Sequence, residues 1–373
     1  MPWEFNWVTG GVQKVEPDLL YRWSAAFEQH GNIWQCPEIV RCWEETIAKA
    51  RGFQPNLLVA KDCDAHELIY PLYVRRKTVW GADTVLIEPL GGESQFDYQD
   101  PLEIGNAMLP GHFTFFWREL ERALQKRFGR HYEFVAYRLS KEVGIPSMTQ
   151  NAFADAPFID LKSTSSLDEY LVRRGKKLRE NVRRGLRHIG SLKCHALTVI
   201  ANEEIPQRMQ QFCDNYKQQW GREGRAHALQ QAEIGACWTR LAETAAKLGK
   251  LHLSALIVGD EVWSWHLGFE HRGVLLWYKP TYNLQYEKYS PGMLHLALAV
   301  HDCIGRGVQT LDLGWGEERY KYRWTDQKVI LHSVRLDRGV CKISNDLQRA
   351  ARMARQSLKR LMLRSNPQSL AVA

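Results

Sequence analysis

The sequence predicts an α/β protein with mixed sheets, arranged as two domains. Helical apolar spacing alternates along the chain with runs rich in Val, Ile, Leu and Tyr. In the second half, three strand-like runs precede a helix and a further strand, an order that indicates a mixed sheet. A chain of 373 residues is also longer than one core usually accommodates.

Helices and strands alternate in the first half. Gly31 and Gly52 are expected to end two of its helices. The predicted helices are 18–31, 37–52 and 113–129, and the predicted strands are 55–62, 67–79, the start of 83–102 and 132–139. The stretch 146–161 is predicted to be a connector that leads into an edge strand.

The second half begins with a capping box, in which Ser166 and Glu169 satisfy free amides at a helix start. Three antiparallel strands are predicted within 250–283, with turns at Gly259-Asp260 and 271–273. The other predicted elements are strands at 193–200 and 308–316 and helices at 205–221, 232–249, 291–307 and 345–364.

The segment 173–190 is strongly basic but also has helical periodicity. Its apolar residues fall at intervals of four, four and three, and Gly190 is expected to end the helix; these apolar residues are Leu178, Val182, Leu186 and Ile189. The basic residues therefore form either a solvated face or the wall of an anion site. For the second alternative, Arg179, Arg183 and Arg187 share a face and can bind phosphate bidentately.

Composition restricts the partners and the compartment. A net charge of +8 favours anions such as nucleic acid, lipid headgroups, nucleotide-sugar phosphates or coenzyme A. No specific DNA binding is expected, since no known DNA-binding motif is present. Without a signal-peptide pattern or a long apolar run, a cytoplasmic protein is expected. The eight cysteines have no zinc spacing, so reduced thiols and no metal site are expected.

The sequence "YSPGM" precedes an apolar helix and is a candidate anion site. Free amides and the positive end of the helix dipole can hold a phosphate there, and Gly292 lets a ligand approach the backbone. The alternative is an ordinary helix start with Ser290 as cap and Pro291 in the first turn.

A polar cluster follows the last core strand in "LDLGWGEERYKYRW". Such a mixture suits acyl transfer to an amine, which needs a base, a donor to an oxyanion and an acid for the leaving group. The candidate catalytic residues are Asp312, Glu317, Tyr320, Lys321 and His266. His266 has an equally strong alternative as a satisfied core histidine. Tyr278 and Tyr282, after the third antiparallel strand, are further candidates.

Several motifs in a characteristic order resemble the FemAB/CelD-like acyltransferase branch of the GNAT (Gcn5-related N-acetyltransferase) superfamily. They are "KKLRENVRR", a helix ending in "QQW" at Trp220, the "SPG" helix start, "FDYQDPL", and D-x-G-x-G-x-E-x-Y-K-x-x-W from Asp312 to Trp324. The resemblance covers roughly residues 20–335.

The resemblance implies two tandem GNAT-like (acyl-CoA N-acyltransferase) domains, the first degenerate and the second complete. The implied ranges are 1–155 on the acceptor side, 156–340 as the transferase domain, and 341–373 as a basic amphipathic helix and tail. Substrate contacts are expected from Asp97, Tyr98, Asp100, Arg179, Arg183 and Trp220, and donor contacts from Tyr278, Tyr282, Ser290, Pro291, Gly292 and Met293.

The implied activity is N-acyl transfer from acyl-CoA or acyl carrier protein to an amine, with an amino sugar of an exopolysaccharide or envelope precursor, free or lipid-linked, as acceptor. The chain departs from coenzyme A-using relatives because "QYEKYSPGM" has a single glycine. An aminoacyl-tRNA-dependent FemAB-like peptidyltransferase and a non-catalytic precursor-binding module therefore remain alternatives. The C-terminal helix is expected either to contact the inner membrane face peripherally or to pack on the protein. The oligomeric state is left open.

Overall fold

The computed structural model describes residues 3–92, 95–104, 110–141, 151–192, 195–222 and 227–365. Within these ranges, thirteen strands form one sheet. The strands are β1 (Glu4–Thr9), β2 (Gln54–Lys61), β3 (Glu67–Val79), β4 (Ala82–Pro89), β5 (Leu102–Ile104), β6 (Tyr132–Leu139), β7 (Asn151–Asp160), β8 (His195–Val199), β9 (Leu251–Val258), β10 (Glu261–His271), β11 (Val274–Tyr282), β12 (Thr310–Asp312) and β13 (Lys328–Asp337). The helices are α1 (Pro17–His30), α2 (Pro37–Trp43), α3 (Lys49–Arg51), α4 (Pro110–Phe128), α5 (Leu167–Arg173), α6 (Lys176–Ser191), α7 (Ile205–Trp220), α8 (Ala232–Lys247), α9 (Pro291–Arg306), α10 (Lys321–Trp324) and α11 (Val340–Ser365).

The two halves of the sheet repeat one pattern, although inspection of the sequence shows no internal repeat. The strand order is β1-β2-β3-β4-β6-β13-β7-β12-β11-β10-β9-β8, with β5 against β3. Each half has four antiparallel strands, β1 to β4 or β8 to β11. A parallel strand then follows, β6 or β12, after the crossover helix α4 or α9. The mixed α/β fold is confirmed.

The last strand of each half completes the sheet of the other half. β7 follows β6 in the chain but pairs with β12, and β13 follows β12 but pairs with β6. β7 and β13 also pair with each other, which joins the halves. The prediction of an edge strand near 146–161 was therefore wrong, because β7 is a central strand; residues 146–150 lie outside the described ranges. A domain boundary between residues 155 and 156 falls inside β7, and the division into domains stays a prediction.

The local predictions agree well with the helices and hairpins of the second half. The three antiparallel strands are present, and the Ser166 hydroxyl accepts a hydrogen bond from the Glu169 amide at the start of α5. In α6, Leu178, Val182 and Ile189 are buried, so the basic segment is an amphipathic helix. Gly190 lies inside α6 and does not end it, because the helix continues to Ser191.

Apolar clusters pack on both faces of the sheet. One cluster contains Trp34 and Trp43 of the first half together with Trp238 and Phe269 of the second. A further cluster covers the opposite face of the second half, where Ile159 of β7 packs with the residues of α9 and β12. Because the halves exchange strands and share a cluster, we expect them to unfold together.

Ile159→Ala tests this expectation. The side chain is fully buried, and its truncation should lower the free energy of unfolding by about 2–5 kcal/mol. Urea unfolding followed by tryptophan fluorescence and circular dichroism should show one transition, shifted as a whole. Two separated transitions, of which only one moves, would contradict the shared core. Val172→Ala on α5 is the control, since Val172 is 58% exposed and its change should stay within about 0.5 kcal/mol.

Candidate functional site

A cavity of about 550 Å³ lies where β11 and β12 separate. Their parallel pairing ends at Leu276 and Asp312. Beyond that point the chain after β12 stays with β7, as the Leu313 amide donates to the Pro157 carbonyl and the Gly316 amide donates to the Asp155 carbonyl, both at 2.9 Å. β11 continues in its own direction to Tyr282, and the space between the two segments is the cavity.

The cavity brings together segments that are distant in the sequence. Its wall consists of the start of α9 with the turn before it, the loop after β12 with α10, the end of β11, the end of α7, Leu178 of α6 and Asp97 of the first half. The predicted site residues on this wall are Asp97, Trp220, Tyr278, Tyr282, Ser290, Pro291, Gly292, Met293, Tyr320 and Lys321. The "SPG" helix start and the residues after β12 thus meet at one cavity, while the roles of these residues stay predictions.

Lys321 fixes the loop that follows β12. Its Nζ donates to the carbonyls of Gly314 at 3.1 Å and Trp315 at 2.8 Å, and it forms an ion pair with Glu318 at 2.9 Å. These contacts use the three donors of an ammonium group. Because the side chain is only 3% exposed, Lys321 is a buried, fully paired cation at the cavity wall.

Gly314 allows the same loop to lie against the first half. Its φ of +69° is in the left-handed region, which favours glycine. A Cβ at this position would lie 2.6 Å from Asp97 Oδ2. The glycine is therefore required both by the backbone conformation and by the close approach of a carboxylate.

Asp97 reaches the cavity on a loop of the first half that is held at both sides. Arg138 Nε donates to the Phe96 carbonyl at 2.7 Å, and the Tyr278 hydroxyl donates to the Gln95 carbonyl at 2.6 Å. Asp97 is 3% exposed, and its Oδ1 has no hydrogen-bond partner within the described part of the chain. Burial raises the pKa of this carboxyl, although Lys279 and other nearby cations oppose the rise.

Lys279 is a cavity residue that the sequence analysis missed. It is half-buried on β11, and its Nζ lies 4.1 Å from the centroid of the Tyr278 ring. Burial lowers the pKa of the ammonium group, and Asp97 opposes this shift. The available signal was a lysine within the apolar strand "VLLWYKP". The other missed wall residues include Leu178, Tyr216, Gln219, Trp277, Trp315 and Glu318.

Tyr320 presents a protonated hydroxyl at neutral pH. Burial raises the pKa of the phenol far above its ordinary value, and the nearby Glu318 carboxylate raises it further. Tyr320 can therefore donate a hydrogen bond at neutral pH.

The start of α9 differs from an ordinary side-chain cap. Ser290 has a φ of +55°, and its hydroxyl makes no capping hydrogen bond. Its carbonyl accepts from the amides of Met293 at 3.0 Å and Leu294 at 3.2 Å. Gly292 N–H makes no backbone hydrogen bond to any described residue, and a Cβ on Gly292 would meet only Tyr282, at 3.7 Å. This amide at the positive end of the helix dipole can therefore bind an anion or a carbonyl oxygen.

Three predicted carboxylate and tyrosine residues lie at a separate cavity of about 370 Å³, namely Asp312, Tyr98 and Asp100. The Tyr98 hydroxyl donates to Asp312 Oδ2 at 2.6 Å, and the Gly314 amide donates to Asp312 Oδ1 at 2.9 Å. Asp100 accepts from the Ser140 amide at 3.0 Å. The hydrogen bonds show that these side chains stabilise loops, and the structure does not bring them to the larger cavity. Burial raises the pKa of Asp312 to about 6.

Four other predicted residues are also away from the cavity wall. His266 is fully buried, and its ring stacks on Trp277 with 3.8 Å between centroids, as a core histidine would. Neither ring nitrogen has a hydrogen-bond partner among the described residues, so the expected satisfaction of its polar atoms is not seen. Burial lowers its pKa well below the ordinary value. Arg183 is exposed and pairs with Asp168 at 3.0 Å. Arg179 and Glu317 do not line the cavity either, since Leu178 and Glu318 occupy the neighbouring wall positions.

Comparison with known proteins shows what the second half is similar to. Residues 176–322 match the family described as "Acetyltransferase (GNAT) domain". The chain shares its fold with FemX at 8% identity and a TM-score of 0.56, over 85% of this chain and 96% of FemX. It also matches the C-terminal domain (DUF2156) of a protein described as a putative lysylphosphatidylglycerol synthetase from Agrobacterium fabrum, at 10% identity and a TM-score of 0.50, over 85% of this chain and 91% of the other. No curated protein matches the sequence.

Among the described residues, no helix is both long and apolar enough to cross a membrane. The seven described cysteines are free thiols, and Cys194 lies outside the described residues.

Gly314→Ala should lower the free energy of unfolding by more than the strain of a left-handed backbone alone would. Gly249 has a similar φ of +66°, but no atom lies within 4 Å of the place that a Cβ would occupy, so Gly249→Ala serves as the control. We expect about 1 kcal/mol for the control from backbone strain and more than about 2 kcal/mol for Gly314→Ala, which also pushes on Asp97. Urea unfolding of both variants measures the difference, and equal costs would contradict the close approach of Asp97.

Asp312→Asn should remove a pH-dependent loss of stability. The pKa of Asp312 is about 6 in the folded protein, against about 4 when unfolded. The folded state therefore holds a proton that the unfolded state releases, and wild-type stability falls by about 3 kcal/mol as the pH rises from 4 to above 6. The difference in unfolding free energy between wild type and variant should therefore change by this amount between pH 4 and pH 7. A constant difference would contradict the buried carboxyl's contribution.

Proposed function

Because residues 176–322 match the model of a GNAT acetyltransferase domain, we propose that the protein moves an acyl group from a thioester donor, acyl-CoA or acyl carrier protein, to an amine. One observation carries the proposal. A single cavity of about 550 Å³ is lined by the first residues of α9, by Tyr320 and by Asp97, which supply a free amide, a phenol and a carboxyl group. In an acyl transfer, the amide can bind the donor, the phenol can protonate the leaving group, and the carboxyl group can bind the amine.

The donor is proposed to lie along the start of α9. Gly292 N–H and the helix dipole favour an anionic or carbonyl oxygen there. Since a Cβ on Gly292 would meet only Tyr282, the backbone is open to a ligand. Tyr282 and Met293 complete this part of the wall.

The acceptor amine is proposed to bind at Asp97. A buried carboxylate oxygen without a partner among the described residues favours an N–H donor from a ligand, and the raised pKa suits acceptance of a proton from the attacking amine. As the C–N bond forms and the C–S bond breaks, Tyr320 gives its proton to the sulfur. The proton on Asp97 then returns to the tyrosinate through solvent. Lys321 keeps the loop in place, and Lys279 adds positive charge beside the developing oxyanion.

An amino sugar of an exopolysaccharide or envelope precursor is the proposed acceptor. Trp220 and Trp315 lie on the cavity wall and are partly exposed, Trp220 by 42%. Aromatic faces of this kind can pack against the apolar faces of a sugar ring. The combination of these faces with a carboxylate at Asp97 supports an acceptor that has both a ring and an amine.

Tyr320→Phe tests the proposed chemistry. Thermal shifts with a panel of acyl-CoA compounds should first identify a donor that raises the melting temperature. With that donor and glucosamine-type acceptors, the variant should keep the thermal shift but lose about 10²- to 10⁴-fold in kcat, because it lacks the acid. Tyr322→Phe is the matched control, since Tyr322 bonds to Asp155 outside the cavity. No stabilisation by any thioester, or an unchanged kcat in Tyr320→Phe, would refute the proposal.

Aminoacyl-tRNA is a second candidate donor, favoured by the surface of α6. Lys176, Lys177, Arg183, Arg184 and Arg187 are exposed, while Leu178 of the same helix lines the cavity. An aminoacyl ester would use the same carbonyl chemistry with an oxygen leaving group. Salt-sensitive binding of charged tRNA with aminoacyl transfer would support this donor, and indifference to charged tRNA would exclude it.

A further inference from the structure

The C-terminal helix α11 leaves the body of the protein after its second turn. Cys341 is buried, and Asn345 Nδ2 donates to Glu133 Oε1 at 3.0 Å and to Asp337 Oδ2 at 2.8 Å. Every residue from 346 to 355 is exposed. The helix is therefore attached at its beginning, and its residues 346–355 are exposed to solvent.

An apolar stripe begins on the side of α11 that faces away from the body. Ile343 is 54% exposed and Leu347 is 58% exposed. They follow the attached residues Cys341 and Asn345 by two positions, which is a rotation of about 200° around the helix axis. The stripe follows intervals of four, three, four, four and three through Ile343, Leu347, Ala350, Ala354, Leu358 and Leu361 in the sequence. A helix keeps such a stripe when something apolar covers it.

The charges of α11 indicate what covers the stripe. Arg349, Arg352 and Arg355 are exposed on the helix, and the sequence continues with Lys359, Arg360 and Arg364. Asp346 is the single acidic residue between Val340 and Ser365. Packing two copies of this helix together would place like charges side by side, whereas an anionic surface with an apolar interior complements both the stripe and its basic flanks.

We propose that α11 lies on an anionic lipid bilayer, with the stripe between the headgroups and the arginines against the lipid phosphates. The helix then holds the body of the protein at the membrane surface. This inference stands on the helix alone and does not rest on the proposed transfer reaction.

Vesicle flotation of the full-length protein tests the proposal. It should float with phosphatidylglycerol–phosphatidylcholine vesicles and stay in the soluble fraction with phosphatidylcholine alone. Ile343→Gln/Leu347→Gln should strongly reduce flotation, because it removes two large exposed apolar side chains of the stripe. Tyr21→Gln/Trp80→Gln is the matched control, as these residues are 76% and 62% exposed but lie elsewhere, and it should float like the wild type.

A second pair of variants separates the charge of α11 from the charge of the whole chain. Arg349→Glu/Arg352→Glu/Arg355→Glu should weaken the partition coefficient by about a hundredfold or more, given the free energy of each cation near an anionic surface. Arg118→Glu/Arg122→Glu/Lys126→Glu on α4 changes the net charge equally and should have little effect, since these exposed residues are on another surface.

Three results would overturn the proposal. One is a failure of the wild type to float with anionic vesicles. Another is an equal loss of vesicle binding in both triple variants, which would indicate a general effect of net charge. The third is a concentration-dependent dimer in analytical ultracentrifugation that Ile343→Gln/Leu347→Gln dissociates, in a protein that does not float, because a second copy would then cover the stripe.

Discussion

The candidate site depends on the binding of residues 313–316 to β7 instead of β11. Two backbone hydrogen bonds to β7 and the contacts of Lys321 hold this loop in place. Since β11 continues in another direction, a space opens between two strands that would otherwise pair. Each neighbouring feature follows from it: the α9 amide end is exposed to this space, and the Gly314 backbone can lie against Asp97.

The exchange of β7 and β13 makes the site a joint product of both halves. β7 follows β6 of the first half in the chain, yet it holds the loop 313–316 of the second half. The first half also supplies the loop around Asp97, which Arg138 and Tyr278 hold against the second half. The family match covers residues 176–322. Asp97, which is proposed to bind the amine and accept its proton, lies outside the matched segment.

The charges of the protein fall into two groups with different consequences. Within the cavity, Lys321 and Glu318 neutralise each other, while Asp97 and Lys279 remain available to a ligand because no short ion pair joins them within the described residues. Outside, α6 has exposed cations around an apolar stripe that packs on the core. The basic segment is thus an ordinary amphipathic helix next to the cavity, and its charge alone does not identify a nucleic-acid-binding protein.

The sequence by itself determined the features that depend on near neighbours in the chain. The stripe of α6, the antiparallel strands β9 to β11 and the start of α9 at Pro291 follow from periodicity, turns and backbone preferences. The tertiary structure alone decided the central place of β7, the burial of His266 and the access of Lys279 to the cavity. These features depend on which strands pair across the molecule. The free energy of that pairing comes from contacts between residues far apart in the sequence, so no local pattern encodes it.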